Sequence, residues 1–360
     1  MNTIADARLD TALQSITAGR PVLVVDGHTT EVVMSAQLAD TRWTAWAVRH
    51  TSGLLCAALP ASRADELGIP AMIAGDRYRV GTASFGVAVD AAEEVGTGIS
   101  ASDRARTARM LACPTSRPSD LTRPGHVMTI RTAEGGTVEC IAVSEAAVDL
   151  CRIGGLAPVA LTATLLEDNG TNIEPAERMS FARSHRVPII DVRDVAHHRL
   201  HHGDGHRERV RRAAARTVDT PTGTMHVIDF DDELTGASHF ACIGAGVDGT
   251  PAVHVITEPS HHDPFISHTP VQQDFQKQLS RIASDGGVIV YLRSRLYSER
   301  RFAVPEDVLM QGAAAAILAN IRRPDTVVSE LPDNRGRSVL FVADGTSMPD
   351  SASIYSLISR

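Results

Sequence analysis

The chain alternates short apolar runs with segments of helical spacing. In the first half, "PVLVVD", "LLCAAL", "SFGVAVD", "HVMTIR" and "VALTATLL" have the length and apolar density of buried strands. Between them, "SDRARTARMLA" and "SEAAVDLCRIGG" place apolar residues three or four apart, as amphipathic helices do, and the second closes on a glycine pair. The amino-terminal "IADARLDTALQSITAG" is a further helix of this kind, closed by Gly19. This pattern predicts an α+β domain over residues 1–195. Residues 196–216 are rich in His and Arg and poor in large apolar side chains, which predicts a solvated helix or linker. From 217 to 360 the pattern resumes as a second α/β domain. Its hairpin-spaced strands are "GTMHVIDF", "SHFACIGAG" and "AVHVITE"; the helix "QQDFQKQLSRIAS", the strand "GVIVYLR" and the Ala-rich helix "DVLMQGAAAAILANI" follow.

Composition narrows the class. The 360 residues are 43% hydrophobic and 22% charged, the balance of an ordinary globular chain long enough for two cores. A net charge of -8 argues against general binding to nucleic acid or an anionic membrane. The five cysteines are scattered with no CxxC pair, and no apolar run is long enough to span a bilayer. A reducing cytoplasm is the expected setting, with no membrane and no nucleic acid as partner.

Candidate chemistry begins where Arg49, His50, Thr51 and Ser52 stand at the mouth of the apolar run "LLCAAL". "GAGVDG" satisfies GxGxxG, but a strand rather than a helix follows it, so a hairpin turn fits better than a dinucleotide loop. His197/His201 and His198/His202 are i,i+4 pairs, and His261, His262 and His268 cluster in one loop. Both read better as solvated segments than as metal sites, with the loop histidines kept as a weak metal alternative.

Several first-half motifs together resemble 3,4-dihydroxy-2-butanone 4-phosphate (DHBP) synthase, a riboflavin-pathway family acting on ribulose 5-phosphate. They are "GRPVLVVD", "RHTSG", "TGISASDRART", "RPGHV" and "EAAVDLCRIGGLAP", in the family's order. The second half is similar to GTP cyclohydrolase II through "TPTGTMHVIDFDD", "HVITE" and "GGVIVYLR". The resemblance implies a DHBP-synthase-like α/β sandwich, then a truncated GTP-cyclohydrolase-II-like α/β domain, and a homodimer formed through the first. It also implies a pocket with His126 and Glu145 as the proton-transferring pair. Arg49, His50, Thr51, Ser52, Asp103, Arg104, Thr107 and Arg123 would bind a small-molecule substrate around them, with Asp103 and Arg104 as an ion pair in the inherited-fold alternative.

The same comparison shows departures. Against the families' metal loops, "DGHTTEVVMSA" keeps only Glu31 as a carboxylate after Asp26, Val143 stands where a metal histidine is expected, and Cys140 and Thr164 replace an Arg and a catalytic Glu. Pro259, Pro270 and Gln272 replace three zinc cysteines. From these departures we expect the magnesium and zinc sites of both families to be lost, with no cofactor. The first pocket is then expected to be repurposed for metal-independent proton transfer on a small polar or phosphorylated substrate. A catalytically silent structural partner and a working bifunctional riboflavin enzyme are the alternatives.

Overall fold

The computed structural model describes residues 4–73, 84–203, 208–244, 252–258, 270–293, 302, 304–321, 330–332 and 338–340. They fall into two compact units, one reaching Arg199 and the other containing 200–203 and the chain from 207 onward.

The first unit is built on a seven-stranded mixed sheet. Its strands are β1 (Val22–Asp26), β2 (Thr29–Ser35), β3 (Cys56–Pro60), β4 (Ser84–Ala91), β5 (Leu121–Thr132), β6 (Ala160–Thr164) and β7 (Ile189–Asp191), in the order β4-β5-β3-β6-β2-β1-β7. Strict alternation divides each strand between two cores. Leu23, Val32, Met34, Ala57, Leu59 and Leu161 point to one face, under α2 (Thr41–His50), α3 (Ala61–Glu66), α4 (Ala101–Ala112) and α6 (Pro175–His185). Val22, Val24, Val33, Ala160 and Ile190 point to the other, under α1 (Ile4–Thr17), α5 (Val143–Ile153) and α7 (Val192–His202). The result is a three-layer α/β/α sandwich, as the resemblance implies.

Two local devices set this frame. Asp26 and Thr29 are paired across β1 and β2, so the connection is the two-residue turn Gly27-His28, with Gly27 at φ +56. The stretch aligned with an acidic loop is therefore a tight hairpin followed by a strand. Helix α2 begins where the Asp40 side chain accepts from the Trp43 backbone N–H at 2.7 Å. It presents Trp43 and Trp46 on one side, their rings 5.7 Å apart.

The second unit has a five-stranded sheet in the order β11-β12-β10-β9-β8. The strands are β8 (Val210–Thr220), β9 (Gly223–Asp232), β10 (Ser238–Ile243), β11 (Val253–Thr257) and β12 (Val288–Leu292). Helix α8 (Pro270–Asp285) covers one face through Leu279 and Ile282, and α9 (Glu306–Ile321) covers the other through Met310, Ala313, Ala314 and Ile317. Two expectations change here. The segment 196–216, expected as a solvated helix or linker, is helix to His202 and strand from Val210. Strands β10 and β11 form no hairpin, because β11 pairs in parallel with β12, which lies between them. A parallel pair needs a crossover, and α8 supplies it.

A buried ion pair locks this unit. Arg209 and Asp232 side chains are both fully buried, with Arg209 Nε 2.7 Å from Asp232 Oδ1 and Nη2 2.8 Å from Oδ2. The guanidinium also donates to the carbonyls of Leu200 (2.7 Å) and Leu309 (3.2 Å). Burial alone would raise the Asp232 pKa. The nearby His239 ring (Nε2 at 3.6 Å, longer than a hydrogen bond) together with Arg209 and Thr235 outweighs burial and holds the carboxyl well below the usual range.

Replacing Asp232 by Ala strands a buried guanidinium, so it should cost about 3–5 kcal/mol and raise hydrogen exchange across β8–β10. Because the native pKa is depressed, the unfolded state takes up the proton first on acidification. This contribution should be complete above about pH 5 and fall away below it in urea titrations at stepped pH.

Candidate active site

The site lies where β4 and β5 end their pairing irregularly. Their register shifts at Gly86/Val89 and again at Val89/Asp90, which bends the strand pair. Gly125 makes this possible: a Cβ there would lie 2.0 Å from the Val89 carbonyl carbon. With the two backbones this close, Asp90 Oδ1 accepts from the His126 backbone N–H at 2.9 Å, and Oδ2 lies 2.7 Å from His126 Nδ1. Asp90 is 7% exposed while the His126 side chain is 40% exposed, so a buried carboxylate orients an open imidazole. A carboxylate can only accept from Nδ1–H, which leaves Nε2 as the basic nitrogen.

Helix α4 supplies the next layer. Its N-cap Ser100 accepts from the Asp103 N–H at 3.1 Å, and Asp103 Oδ2 accepts from the Gly98 N–H at 3.1 Å. A Cβ on Gly98 would meet Asp90 Oδ2 at 2.1 Å and His126 Nδ1 at 2.6 Å, so the "TGIS" turn needs glycine to lie against the dyad. Thr107 is wholly buried; its hydroxyl donates to the Asp103 carbonyl and accepts from the Ala91 N–H, each at 3.0 Å. Arg104 is buried and donates to the Gly53 carbonyl at 2.9 Å, which ties α4 to the "RHTSG" segment. Burial lowers the Arg104 pKa. Asp103 and Arg104 thus have different partners and form no ion pair with each other.

The remaining expected residues divide. Thr51 Oγ donates to the Ala47 carbonyl at 2.7 Å, and Ser52 N–H donates to the Thr164 carbonyl at 2.9 Å, so this corner is stitched to β6. Arg49 is exposed at the end of α2. The His50 ring packs against Trp46 (5.0 Å), Phe181 (5.7 Å) and His185 (4.7 Å). Burial, then His185 and Arg49, lowers its pKa, against a smaller opposing pull from Asp168. Arg123 donates to the carbonyls of Pro118, Leu121 and Leu67, a bracing role.

Glu145 is 2% exposed and accepts from Ser144 Oγ at 2.7 Å and from the Ala133 N–H at 3.3 Å. Ala133 lies seven residues beyond His126 along β5, roughly 20 Å of extended chain. The structure therefore does not bring Glu145 to His126; Asp90 is the partner. Its sequence signal was a carboxylate closing the apolar run "SFGVAVD". A second set lies on the neighbouring strands β3, β6 and β2. Glu31 sits opposite Thr164 in the β2–β6 register, with a pKa raised by burial and moderated by a hydrogen bond to Thr162. Burial, reinforced by Glu31, pushes the Cys56 thiol up to about 12.

With this geometry in place, comparison with known proteins is direct. Residues 10–198 match the family model of 3,4-dihydroxy-2-butanone 4-phosphate synthase, and residues 211–311 match that of GTP cyclohydrolase II. The chain belongs to the bifunctional DHBP synthase/GTP cyclohydrolase II family. It is 34% identical to riboflavin biosynthesis protein RibBA of Salinispora arenicola over 295 residues, 79% of this chain and 69% of that one. It is 36% identical to RibBA of Mycobacterium tuberculosis over 303 residues, 79% of this chain and 70% of that one. A two-domain structure, RibBX from A. baumannii, shares the fold at TM-score 0.61 and 24% identity, covering 88% of this chain and 91% of that one. A solved DHBP synthase in complex with two magnesium ions is 33% identical, with TM-score 0.49, covering 54% of this chain and 98% of that one.

These findings correct two expectations. A chain matching both family models, and RibBA proteins at this identity over most of its length, gives no support for lost parent activities or a repurposed pocket. Nor is a loss of the magnesium and zinc sites shown. Magnesium is commonly held by one or two carboxylates with water and substrate oxygens, so the absence of one motif does not remove a site. His261, His262 and His268, and Pro259 in the aligned zinc loop, lie outside the described residues. Among the described residues no cluster of three or more His, Cys, Asp or Glu could hold a metal ion. No helix among them is long and apolar enough to cross a membrane.

The cysteines provide a check on this packing. Cys56, Cys140, Cys151 and Cys242 are buried, whereas Cys113 is partly exposed and its pKa is lowered by hydrogen bonds from Thr115 and Ser116. At pH 8 a disulfide reagent such as DTNB should titrate one thiol rapidly and the other four only after denaturation, and Cys113→Ser should remove the fast phase.

Proposed function

We propose that the chain is a working riboflavin-pathway enzyme. Its first unit converts ribulose 5-phosphate into 3,4-dihydroxy-2-butanone 4-phosphate and formate, and its second carries the GTP cyclohydrolase II reaction. The observation that carries this reading is the Asp90–His126 dyad, set by Gly125 and Gly98 within a chain matched by both family models.

The chemistry begins with removal of a proton beside a ketose carbonyl, a step suited to an imidazole with a free ring nitrogen. Asp90 holds the residue by one contact to its backbone N–H and one to ring Nδ1, which leaves Nε2 to take the substrate proton. Asp103 and Arg104 hold the Gly98 and Gly53 backbones and so shape the wall around the imidazole. The donor set near the dyad suits magnesium: Asp90 and Asp103 are hard oxygen donors flanking the same glycine turn, and they would hold the ion. When bound, magnesium would polarise the ketose oxygen. In the second unit the segment aligned with a zinc loop runs from Pro259 to Gln272; 259–269 lie outside the described residues, Pro270 and Gln272 open α8 without offering a thiolate, and no step is drawn through it.

A homodimer belongs to the same proposal. Leu54 (53% exposed) and Ile99 (52%) adjoin Gly53 and Gly98 of the site, and Phe85 (40%) lies on the edge strand β4. Exposed apolar side chains at these positions suit a subunit contact. Light scattering should give twice the mass of one chain, and Leu54→Glu should halve it.

Full-length protein with ribulose 5-phosphate and magnesium should release one formate per turnover in a formate dehydrogenase assay. His126→Gln should lower kcat about 100-fold or more, and Asp90→Asn should lower it and move the pH profile. GTP with zinc should yield formate separately. Absence of formate in the first assay overturns the synthase assignment, and in the second the cyclohydrolase assignment.

A further inference from the structure

Across the sheet from the dyad, at the β1/β7 edge, the first unit carries another concavity. A groove of about 360 Å3 runs between the end of α1, the end of α6 and the chain entering β7. Arg20, Arg183 and Arg186 line it, with Met179, Val187 and Pro188 as its apolar surface. Among the described residues none of the three guanidiniums is paired with a carboxylate. Three like charges around one small space repel unless an anion joins them.

Arg186 adds an independent observation. It is the C-cap of α6 at φ 54, ψ 42, the left-handed position where glycine or asparagine is the usual choice. An Arg there strains the backbone, and the same residue lines the groove. Met179 is 42% exposed in the same place, so the groove offers apolar contact together with cationic hydrogen-bond donors.

We propose that this groove binds a small phosphorylated molecule with an apolar body, the phosphate held by Arg20, Arg183 and Arg186. A phosphate dianion matches several guanidinium forks, and a groove of this size has room for a small ligand. The site is remote from the chemistry: β7 and β4 are the two opposite edges of the sheet. It does not depend on the catalytic assignment, since binding here is measured without turnover.

The test uses the full chain with 1-naphthyl phosphate as probe, by calorimetry and thermal shift, against 1-naphthol and inorganic phosphate. The probe should bind at least tenfold tighter than either control. The triple variant Arg20→Gln, Arg183→Gln, Arg186→Gln should weaken it tenfold or more while leaving formate release from ribulose 5-phosphate unchanged. Arg186→Gly should raise Tm by relieving the strained cap and still weaken the probe, a combination that loss of fold cannot produce. Undiminished binding by the triple variant, equal binding of inorganic phosphate alone, or displacement of the probe by ribulose 5-phosphate each overturns the proposal. So does binding of poly-aspartate in place of the probe, which would mark an acidic protein partner.

Discussion

Contact between the backbone of β5 at Gly125 and that of β4 at Val89–Asp90 is the constraint on which the first unit's chemistry depends. Any side chain at 125 would push the strands apart, and Asp90 would then miss one or both of its contacts with His126. The two register shifts in the β4–β5 ladder accommodate that approach. They sit at a sheet edge, where ladder irregularities disturb the fewest hydrogen bonds. Glycine at 98 repeats the device from the other side, allowing a turn to lie against the same carboxylate and ring.

Around this core the supporting bonds are mostly from side chain to backbone. Arg104 to the Gly53 carbonyl and Thr107 to the Ala91 N–H join segments separated in sequence, and Asp103 closes the local turn at the Gly98 N–H. Buried groups with such partners hold loops in one arrangement, since breaking any one leaves an unsatisfied polar atom. The "RHTSG" and "TGIS" segments are therefore positioned by α4, whose own start is fixed by Ser100.

Much of the fold could be read from periodicity. The runs around Val22–Asp26, Cys56–Pro60 and Ala160–Thr164 are strands, and the spacings in 101–112 and 143–153 are helices. Strand β2 was hidden because "DGHTTEVVMS" was read by alignment to a loop, although its two-residue Asp26–Thr29 turn is a local hairpin signal. Asp90 was passed over because its partner is 36 residues away, and neither periodicity nor spacing reports a contact of that kind. The choice of Glu145 failed geometrically for the converse reason: a family segment was legible, but its side chain turns to Ala133 and Ser144. Inferring lost activity from a few aligned positions gave those positions more weight than similarity over 295 residues supports. Donor sets for an oxygen-seeking cation can be assembled from other residues.

The Arg209 contacts bear on how the second unit is made. Its guanidinium has acceptors in Asp232, 23 residues on, and in Leu309, 100 residues on. During synthesis the first partner emerges soon after Arg209, but the second comes only when α9 has left the ribosome. Until then Nη2 has Asp232 but not the Leu309 carbonyl, and the sheet face that α9 covers through Met310, Ala313, Ala314 and Ile317 stays open to water. Closure of this face is thus set by the arrival of α9, and a ribosome paused before residue 309 would hold an open, partly wetted core.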